Sequence, residues 1–150
     1  MPHIHEKIDF AVEVFVVYND KVLLRKHDKY GIWLSVGGHI ELDEDPNEAA
    51  LREVKEEVGL DVTLFDTRGF THEEKGFVEL IAPISLNRHN ISDTHEHISM
   101  IYFAKANTDQ VIPEKELDEW RWCAENEIET LEGIRKDIVH YAKRALKEVR

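Results

Sequence analysis

One segment constrains the fold of this chain more than any other, because it joins helix start and stop signals to a fixed pattern of glutamates. It runs from residue 37 to residue 60 and reads GGHIELDEDPNEAALREVKEEVGL. The residues that typically begin and end helices stand at both of its ends: Asp45 as N-cap, Pro46, Glu48 closing a capping box, and Gly59 as a left-handed stop. The segment therefore predicts a helix from Pro46 to Val58.

The predicted helix carries two stripes of side chains at helical spacing. The first stripe is apolar and is expected to pack on a sheet; it contains Ala50, Leu51, Val54 and Val58. The second stripe is acidic and contains Glu53, Glu56 and Glu57, which are neighbours because residues three and four apart share a helix face. Two carboxylates about 6 Å apart repel by roughly 3 kcal/mol at an effective dielectric near 20. Carboxylates near a helix C-terminus also oppose the helix dipole.

The acidic stripe has two interpretations. Glutamate is a good helix former, so the three side chains could simply be solvated on the helix surface. Alternatively, a bound cation removes their repulsion, and oxygen-only ligands suit Mg²⁺ or Mn²⁺. The cation is favoured because Gly37 and Gly38 free the backbone just before the helix, and because Arg52 is placed to tie Glu44 back across the intervening loop.

The order of these residues resembles the complete Nudix box. Gly38 is followed at the family's spacing by Glu44, Arg52, Glu53, Val54, Glu56, Glu57, Gly59 and Leu60, and the box covers 23 residues. The resemblance implies one Nudix domain over residues 1–150, an α/β (α+β) fold in which a mixed curved sheet lies between the box helix and a C-terminal helix. It also implies hydrolysis of a nucleoside diphosphate linked to another moiety.

The resemblance also implies a role for each matching position. Glu53, Glu56 and Glu57 resemble the metal-binding glutamates, with the carbonyl of Gly37 as a backbone ligand. Glu44 and Arg52 resemble the pair that braces the loop. Mg²⁺ or Mn²⁺ would polarise the phosphate and activate a water. The family does not place the general base consistently, so Glu53, Glu56 or a fourth carboxylate, Glu96, is expected to accept the proton; a solvent-facing Glu96 is the alternative.

Other residues are candidates for contact with the substrate. Arg25 or Lys26 could reach a phosphate, and Trp33 and Tyr30 could stack on a base, although packing in the core is the usual role of such a tryptophan. Val36 stands where many family members have proline. Phe77 matches neither the proline of ADP-ribose hydrolases nor the tyrosine of diadenosine polyphosphate hydrolases. A nucleoside triphosphate and a nucleotide-sugar-like diphosphate therefore both remain open as substrates.

The rest of the chain predicts a mixed α/β domain. An Asn19–Asp20 turn joins two strand-like runs into a hairpin, and residues 31–36 read as a short strand. Further strands are predicted within residues 61–72, 76–86, 97–106 and 119–124, a mobile polar loop at 88–94, and a helix within 133–150. His95 and His97 should share one strand face with Glu96 on the other. Structural or substrate contacts are favoured for this pair over a metal role, and His3 and His5 are expected in a frayed terminus.

Charge and composition limit the alternatives. A net charge of −12 argues against DNA or RNA binding, and no segment predicts a membrane span or a signal peptide. The single cysteine, Cys123, is expected in the core and favours the cytoplasm. A non-catalytic, regulatory Nudix domain is the alternative function, and a prenyl diphosphate isomerase would need a cysteine in a catalytic loop. A nucleotide substrate is the expected partner, and a homodimer is left open.

Overall fold

A mixed sheet forms the centre of the computed structural model, which describes residues 3–27 and 30–149. Five strands lie side by side in the order β10 (Trp120–Cys123), β2 (Lys21–Lys26), β1 (Ile8–Tyr18), β9 (Glu96–Ala106) and β5 (Val62–Leu64). Three further strands join them: β3 (Trp33–Leu34) pairs with β2, β4 (Val36–His39) with β1, and β8 (Ser85–Asn90) with β9. The short strands β6 (Glu73–Glu74) and β7 (Phe77–Val78) pair with each other.

Helices cover both faces of this sheet, as the α/β/α sandwich requires. The helices are α1 (Pro46–Val58), α2 (Glu125–Ile128) and α3 (Lys136–Glu148). One buried cluster joins α1 to the sheet through Ala50, Val54, Val58, Val12, Val14 and Val16. The other cluster joins α3 to the opposite face through Ile138, Ala142, Ala145, Phe15 and Val17. The predicted fold class is confirmed.

The side chains of the parallel strands β1 and β9 point alternately to the two faces of the sheet. Its register runs without interruption from Ile8 opposite Glu96 to Val17 opposite Lys105. Because side chains alternate along a strand, the even-numbered residues of this pair, such as Val12, face α1. The odd-numbered residues, such as Phe15, face α3. This alternation decides which polar side chains can meet beside each helix.

Local signals set the predicted turns and caps correctly. Asn19 and Asp20 have φ angles of 46° and 62°, the left-handed values of a tight hairpin turn. The Asp45 carboxylate accepts the Glu48 N–H at 2.8 Å and the capping box is complete. Gly59 ends α1 with φ of 68°.

The apolar stripe of α1 differs from the prediction at one position. Leu51 is 42% exposed, whereas Ala49 is fully buried. The expectation that Leu51 packs on the sheet is therefore wrong. The helix is rotated so that Ala49, and not Leu51, belongs to the buried cluster between α1 and the sheet.

Several segments were predicted with the wrong extent. Residues 31–36 form two strands, because Ser35 separates β3 from β4 and the two pair with different neighbours. Residues 88–90 belong to β8 and not to a mobile loop. That strand alternates half-buried and exposed side chains and is polar except for the exposed Leu86, so it lacks the apolar pattern that indicates a strand. The helix α2 was not predicted.

The start of the described chain is held against the sheet. The N–H groups of Ile4 and His5 donate to the two carboxylate oxygens of Asp9 at 3.1 and 2.7 Å. The expectation of a frayed terminus is therefore wrong for this segment. Cys123 is fully buried, as predicted. None of the helices in residues 3–27 and 30–149 is long and apolar enough to cross a membrane.

Candidate functional site

Two glycines of β4 bring the backbone close to α1, and each is required by space. A Cβ atom on Gly38 would lie 2.3 Å from Oε1 of Glu53, so the carboxylate occupies the place of a side chain. A Cβ atom on Gly37 would lie 2.2 Å from the carbonyl oxygen of Val12 on β1. Gly38 therefore makes room for the carboxylate of Glu53, and Gly37 makes room for the pairing of β4 with β1.

The three glutamates of the acidic stripe differ in exposure. Glu53 is 2% exposed and Glu57 is 7% exposed, whereas the side chain of Glu56 is 53% exposed. Burying a carboxylate costs several kcal/mol unless hydrogen bonds and opposite charge compensate for it. The interpretation of all three as solvated surface residues is therefore wrong for Glu53 and Glu57.

Arg52 compensates part of this charge and braces the loop. Its Nε and Nη2 atoms donate to the carboxylate of Glu44 at 2.9 and 2.6 Å. Its Nη1 atom reaches Glu53 at 3.0 Å and Glu56 at 3.1 Å, and Nη2 also donates to the carbonyl of His39 at 3.0 Å. Hydrogen bonds from the guanidinium hold the pKa of Glu44 below its usual value. The predicted contact between Arg52 and Glu44 is present, and the sequence reasoning missed the contacts with the stripe.

Arg25 compensates the deepest carboxylate from the other side. Its Nη1 atom is bound to Oε2 of Glu57, and its Nη2 atom lies 3.6 Å from Asp118. The N–H of Gly37 faces Oε1 of Glu57 at 3.3 Å. The structure thus places Arg25 beside the candidate metal ligands. Asp118 was not considered from the sequence, where it lies in an acidic segment without a motif.

Burial changes the protonation of the stripe. Desolvation, reinforced by the neighbouring carboxyl of Glu53, raises the pKa of Glu57 to about 8, although Arg25 opposes the shift. Desolvation also raises the pKa of Glu53. The raised pKa values favour a proton on this pair of neighbouring carboxyls, which a cation could replace. A desolvated set of carboxylate oxygens beside the Gly37 backbone fits Mg²⁺ or Mn²⁺.

A groove of about 560 Å³ opens beside the stripe. It is bounded by the loop between β4 and α1, by α1 and by the N-terminal segment. Half of its lining residues are acidic: Ile4, His39, Glu41, Leu42, Asp43, Glu44, Arg52 and Glu56. A phosphate could enter such a groove only with cations to balance the carboxylates.

Other predicted site residues lie apart from the stripe. Glu96 begins β9 and is ion-paired with Arg88. Met100 of β9 pairs with Val12 of β1, which in turn pairs with Gly38 of β4. Glu96 stands four residues before Met100 on β9. That distance is about 13 Å along the strand.

The aromatic and cationic candidates are also dispersed. Trp33 packs against the cluster that α3 covers, on the face opposite α1. Lys26 lies 3.4 Å from the carboxylate of Glu119, and the ring of Tyr30 stacks on that of His27. The structure therefore brings together Gly37, Gly38, Arg25, Arg52 and the glutamates of the box, and leaves Glu96, Trp33, Lys26 and Tyr30 outside.

Three features together define the class of Nudix hydrolases. They are an α/β/α sandwich, a helix that places buried glutamates against a pair of glycines, and an arginine that braces the loop before that helix. Comparison with known families agrees, since residues 7–143 match the NUDIX domain. The chain belongs to the Nudix hydrolase family.

Individual relatives support this assignment. A hydrolase of the NUDIX family from Clostridium perfringens is 34% identical and has a TM-score of 0.85, with 95% of this chain and 98% of that chain covered. The CTP pyrophosphohydrolase of Escherichia coli K12 is 28% identical over 98 residues, which are 61% of this chain and 73% of that protein. The m7GpppN-mRNA hydrolase NUDT17 of Xenopus laevis is 36% identical over 90 residues, which are 56% of this chain but 30% of that protein.

Proposed function

We propose that the protein is a Mg²⁺-dependent pyrophosphohydrolase that cleaves the diphosphate linkage of a nucleoside diphosphate joined to another moiety. One observation carries the proposal. Glu53 and Glu57 are buried carboxylates with raised pKa values, held beside the Gly37–Gly38 backbone with the exposed Glu56 at the rim. Such a group of carboxylates is unfavourable without cations and becomes favourable with them.

Each residue of the site receives a role in this proposal. Glu53, Glu56, Glu57 and the carbonyl of Gly37 hold Mg²⁺ or Mn²⁺, whose chemistry when bound is to neutralise the diphosphate and to lower the pKa of a water. Arg52 and Glu44 fix the loop that carries the ligands. Glu56 is better placed than Glu53 to act as general base, because it lines the groove and is exposed to the attacking water.

The substrate is proposed to be a nucleoside triphosphate or another nucleoside diphosphate derivative. The named activities of the two curated relatives, CTP pyrophosphohydrolase and m7GpppN-mRNA hydrolase, support a nucleotide. Arg25 is retained as a phosphate contact, because a cation that replaces it at Glu57 would leave its guanidinium available. The cytoplasmic location expected from the single Cys123 is part of the same proposal.

A panel of nucleotides tests the proposal directly. CTP, the other nucleoside triphosphates, UDP-sugars and a capped dinucleotide would be incubated with the protein and Mg²⁺, with EDTA in a parallel series. We expect each cleaved compound to give two phosphorylated products, such as a nucleoside monophosphate and pyrophosphate from a triphosphate or UMP and a sugar phosphate from a UDP-sugar, which ion-exchange chromatography would separate. EDTA should abolish this cleavage, and one substrate class should support it best. The Glu132→Gln variant is a matched control, since Glu132 is exposed and distant in sequence from the box.

One result would replace the proposal with the alternative. If no compound is hydrolysed although the protein binds nucleotide in the presence of Mg²⁺, the domain is a non-catalytic, nucleotide-binding member of the family. Calorimetry with a non-hydrolysable nucleotide analogue would supply that binding measurement on the same preparation.

A further inference from the structure

A second group of potential metal ligands lies at the end of the β1–β9 pair. We call it the histidine cluster, and its members are His3, Asp9, His39, His95 and His97. One ligand atom from each of His3, Asp9, His95 and His97 lies within 4.8 Å of those of the other three. Asp9 and His97 are direct neighbours in the register of the two strands. The cluster therefore depends on the parallel pairing at the centre of the sheet.

This cluster is separate from the glutamates of the box. Gly38 faces Glu53 on α1, so the next residue along β4, His39, directs its side chain to the opposite face. Asp9 and His97 are odd-numbered residues of the β1–β9 pair and lie on that same opposite face. An ion held there would be a different ion from the one proposed for catalysis.

The contact between Asp9 and His95 calls for a positive charge. Nε2 of His95 lies 3.1 Å from Oδ2 of Asp9, and Nδ1 lies 3.1 Å from the carbonyl oxygen of Glu6. A neutral imidazole donates from one nitrogen only. If Nδ1–H donates to the carbonyl, the lone pair of Nε2 faces a buried carboxylate oxygen, and two acceptors repel. Either a second proton on His95 or a metal ion shared with Asp9 relieves this repulsion.

The surroundings of this contact match those of known metal ligands. Metal-binding histidines commonly donate their other N–H to a backbone carbonyl, which fixes the ring, and the Glu6 carbonyl is in that position. Asp9 is 1% exposed and its two oxygens accept backbone N–H groups from Ile4 and His5. The side chains are thus oriented before any ligand arrives.

His97 and His39 add two imidazole rings at the same place. Their Nε2 atoms are 3.0 Å apart. His39 is 4% exposed, and its Nδ1 atom has no hydrogen-bond partner among the residues that the structure describes. Burial, with the neighbouring histidines, lowers the pKa of His97 to about 4, so its ring is uncharged at neutral pH. An uncharged imidazole is the form that binds a metal.

We propose that His3, Asp9, His95 and His97 form a binding site for one divalent transition-metal ion, with Zn²⁺ as the best match. Three imidazole nitrogens and one carboxylate oxygen suit Zn²⁺ and not Mg²⁺. Tetrahedral ligands at about 2.05 Å from zinc are roughly 3.4 Å apart. The contacts of Asp9 with His95 and His3, at 3.1 and 3.5 Å, are already near this value, so only the wider pairs, up to 4.8 Å apart, must shorten. His3 can make the largest adjustment, because its side chain is 51% exposed. The ion would fasten the N-terminal segment to the start of β9.

Metal titration of the full chain, prepared without a histidine tag, tests this proposal. The protein would be stripped with a chelator and titrated with Zn²⁺ against a chromophoric chelator in excess Mg²⁺, which occupies the carboxylate site. Co²⁺ would be added to a second sample, because a tetrahedral site gives it an intense visible absorption. We expect one Zn²⁺ per chain and a tetrahedral Co²⁺ spectrum.

Variants locate the ion. His95→Gln and Asp9→Asn should weaken Zn²⁺ binding roughly tenfold or more, while His140→Gln on the exposed side of α3 and Glu57→Gln on α1 should leave it unchanged. His3→Ala changes a half-exposed residue outside the strands and helices, so it tests the site even if the buried variants misfold. Circular dichroism would verify the fold of each variant.

Three outcomes would overturn the proposal. Absence of stoichiometric Zn²⁺ binding in excess Mg²⁺ would show that His3, Asp9, His95 and His97 do not form a zinc site. Equal binding by His3→Ala, His95→Gln and the wild type would place the ion elsewhere. Loss of binding in Glu57→Gln alone would assign the ion to the box, and the hydrolase proposal would stand independently of that result.

Discussion

Arg25 on β2 is ion-paired with Glu57 on α1, two residues that are 32 positions apart in the chain. The arginine also lies 3.6 Å from Asp118, so one guanidinium is shared between two carboxylates. Because Glu57 is buried, desolvation raises its pKa, and the guanidinium of Arg25 opposes this rise by stabilising the ionised carboxylate. The pair connects the sheet to the acidic stripe and lowers the free-energy cost of burying the Glu57 carboxylate before a metal binds.

Replacement of Glu57 by glutamine tests the metal-ligand assignment. The amide keeps the size of the side chain but removes the negative charge, so we expect Mg²⁺-dependent turnover to fall more than about 100-fold. Far-UV circular dichroism should be unchanged. Turnover would be compared with that of Glu132→Gln on the best substrate of the panel, and near-normal activity of Glu57→Gln would show that Glu57 is not a ligand.

The raised pKa of Glu57 predicts a pH dependence of stability. A carboxyl whose pKa is higher in the folded than in the unfolded chain favours folding when it is protonated. Its contribution is complete below the unfolded pKa of about 4.5 and is lost as the pH rises through the folded pKa of about 8. The metal-free wild type should therefore lose stability with rising pH in that window.

The same substitution isolates this effect. Glutamine cannot ionise, so the Tm of Glu57→Gln relative to the wild type should rise between about pH 5 and pH 8, that is, between the unfolded pKa of about 4.5 and the folded pKa of about 8. A difference of 1 kcal/mol corresponds to about 2–4 °C in a domain of this size. Scanning calorimetry in EDTA would measure it. A constant Tm difference across the window would mean that Glu57 is already ionised at pH 7.

Gly38→Ala should impair activity more than stability. The new methyl group would lie 2.3 Å from Oε1 of Glu53, so the carboxylate must move away from its place beside β4. We expect the apparent affinity for Mg²⁺ and kcat each to fall roughly tenfold or more. Steady-state kinetics over a range of Mg²⁺ concentrations would measure both.

Two other glycines provide matched controls for that variant. Gly37→Ala places its methyl 2.2 Å from a backbone carbonyl, which cannot move without disturbing strand pairing, so it should lower Tm more than Gly38→Ala does. Gly69→Ala has no neighbour within 4 Å of the new atom and should be nearly neutral. Equal activity of Gly38→Ala and Gly69→Ala would contradict the role given to the close approach.

Arg52→Lys should show that the shape of the guanidinium matters and not merely its charge. Arg52 donates to Glu44, Glu53, Glu56 and the His39 carbonyl together, and an ammonium cannot reproduce this fork. We expect a loss of about 1–3 kcal/mol in the free energy of unfolding, together with a lower kcat. A double-mutant cycle with Glu44→Gln, measured by urea unfolding, should show strong non-additivity. Additive effects would mean that the two side chains do not act as a pair.

The features predicted correctly from the sequence are mainly those that depend on residues close together in the chain. The caps of α1 and the turn at Asn19–Asp20 were predicted correctly, because each depends on residues within four positions of one another. The grouping of Glu53, Glu56 and Glu57 follows from helical geometry, and the brace between Arg52 and Glu44 follows from the spacing of the box. The errors arose where local patterns were weak, as in the polar strand β8.

The sequence by itself thus determined the family, the box helix and the identity of the candidate metal ligands. Only the tertiary structure decided which side chains from distant segments lie beside these ligands. Arg25 meets Glu57 because its side chain lies on the same face of β2 as Leu23, the face that α1 covers. Trp33, by contrast, packs on the face that α3 covers. Asp9 and His95 are 86 positions apart and meet through the parallel register of β1 and β9. Such a register is set by packing of the whole sheet, since no local pattern specifies which strand lies beside another.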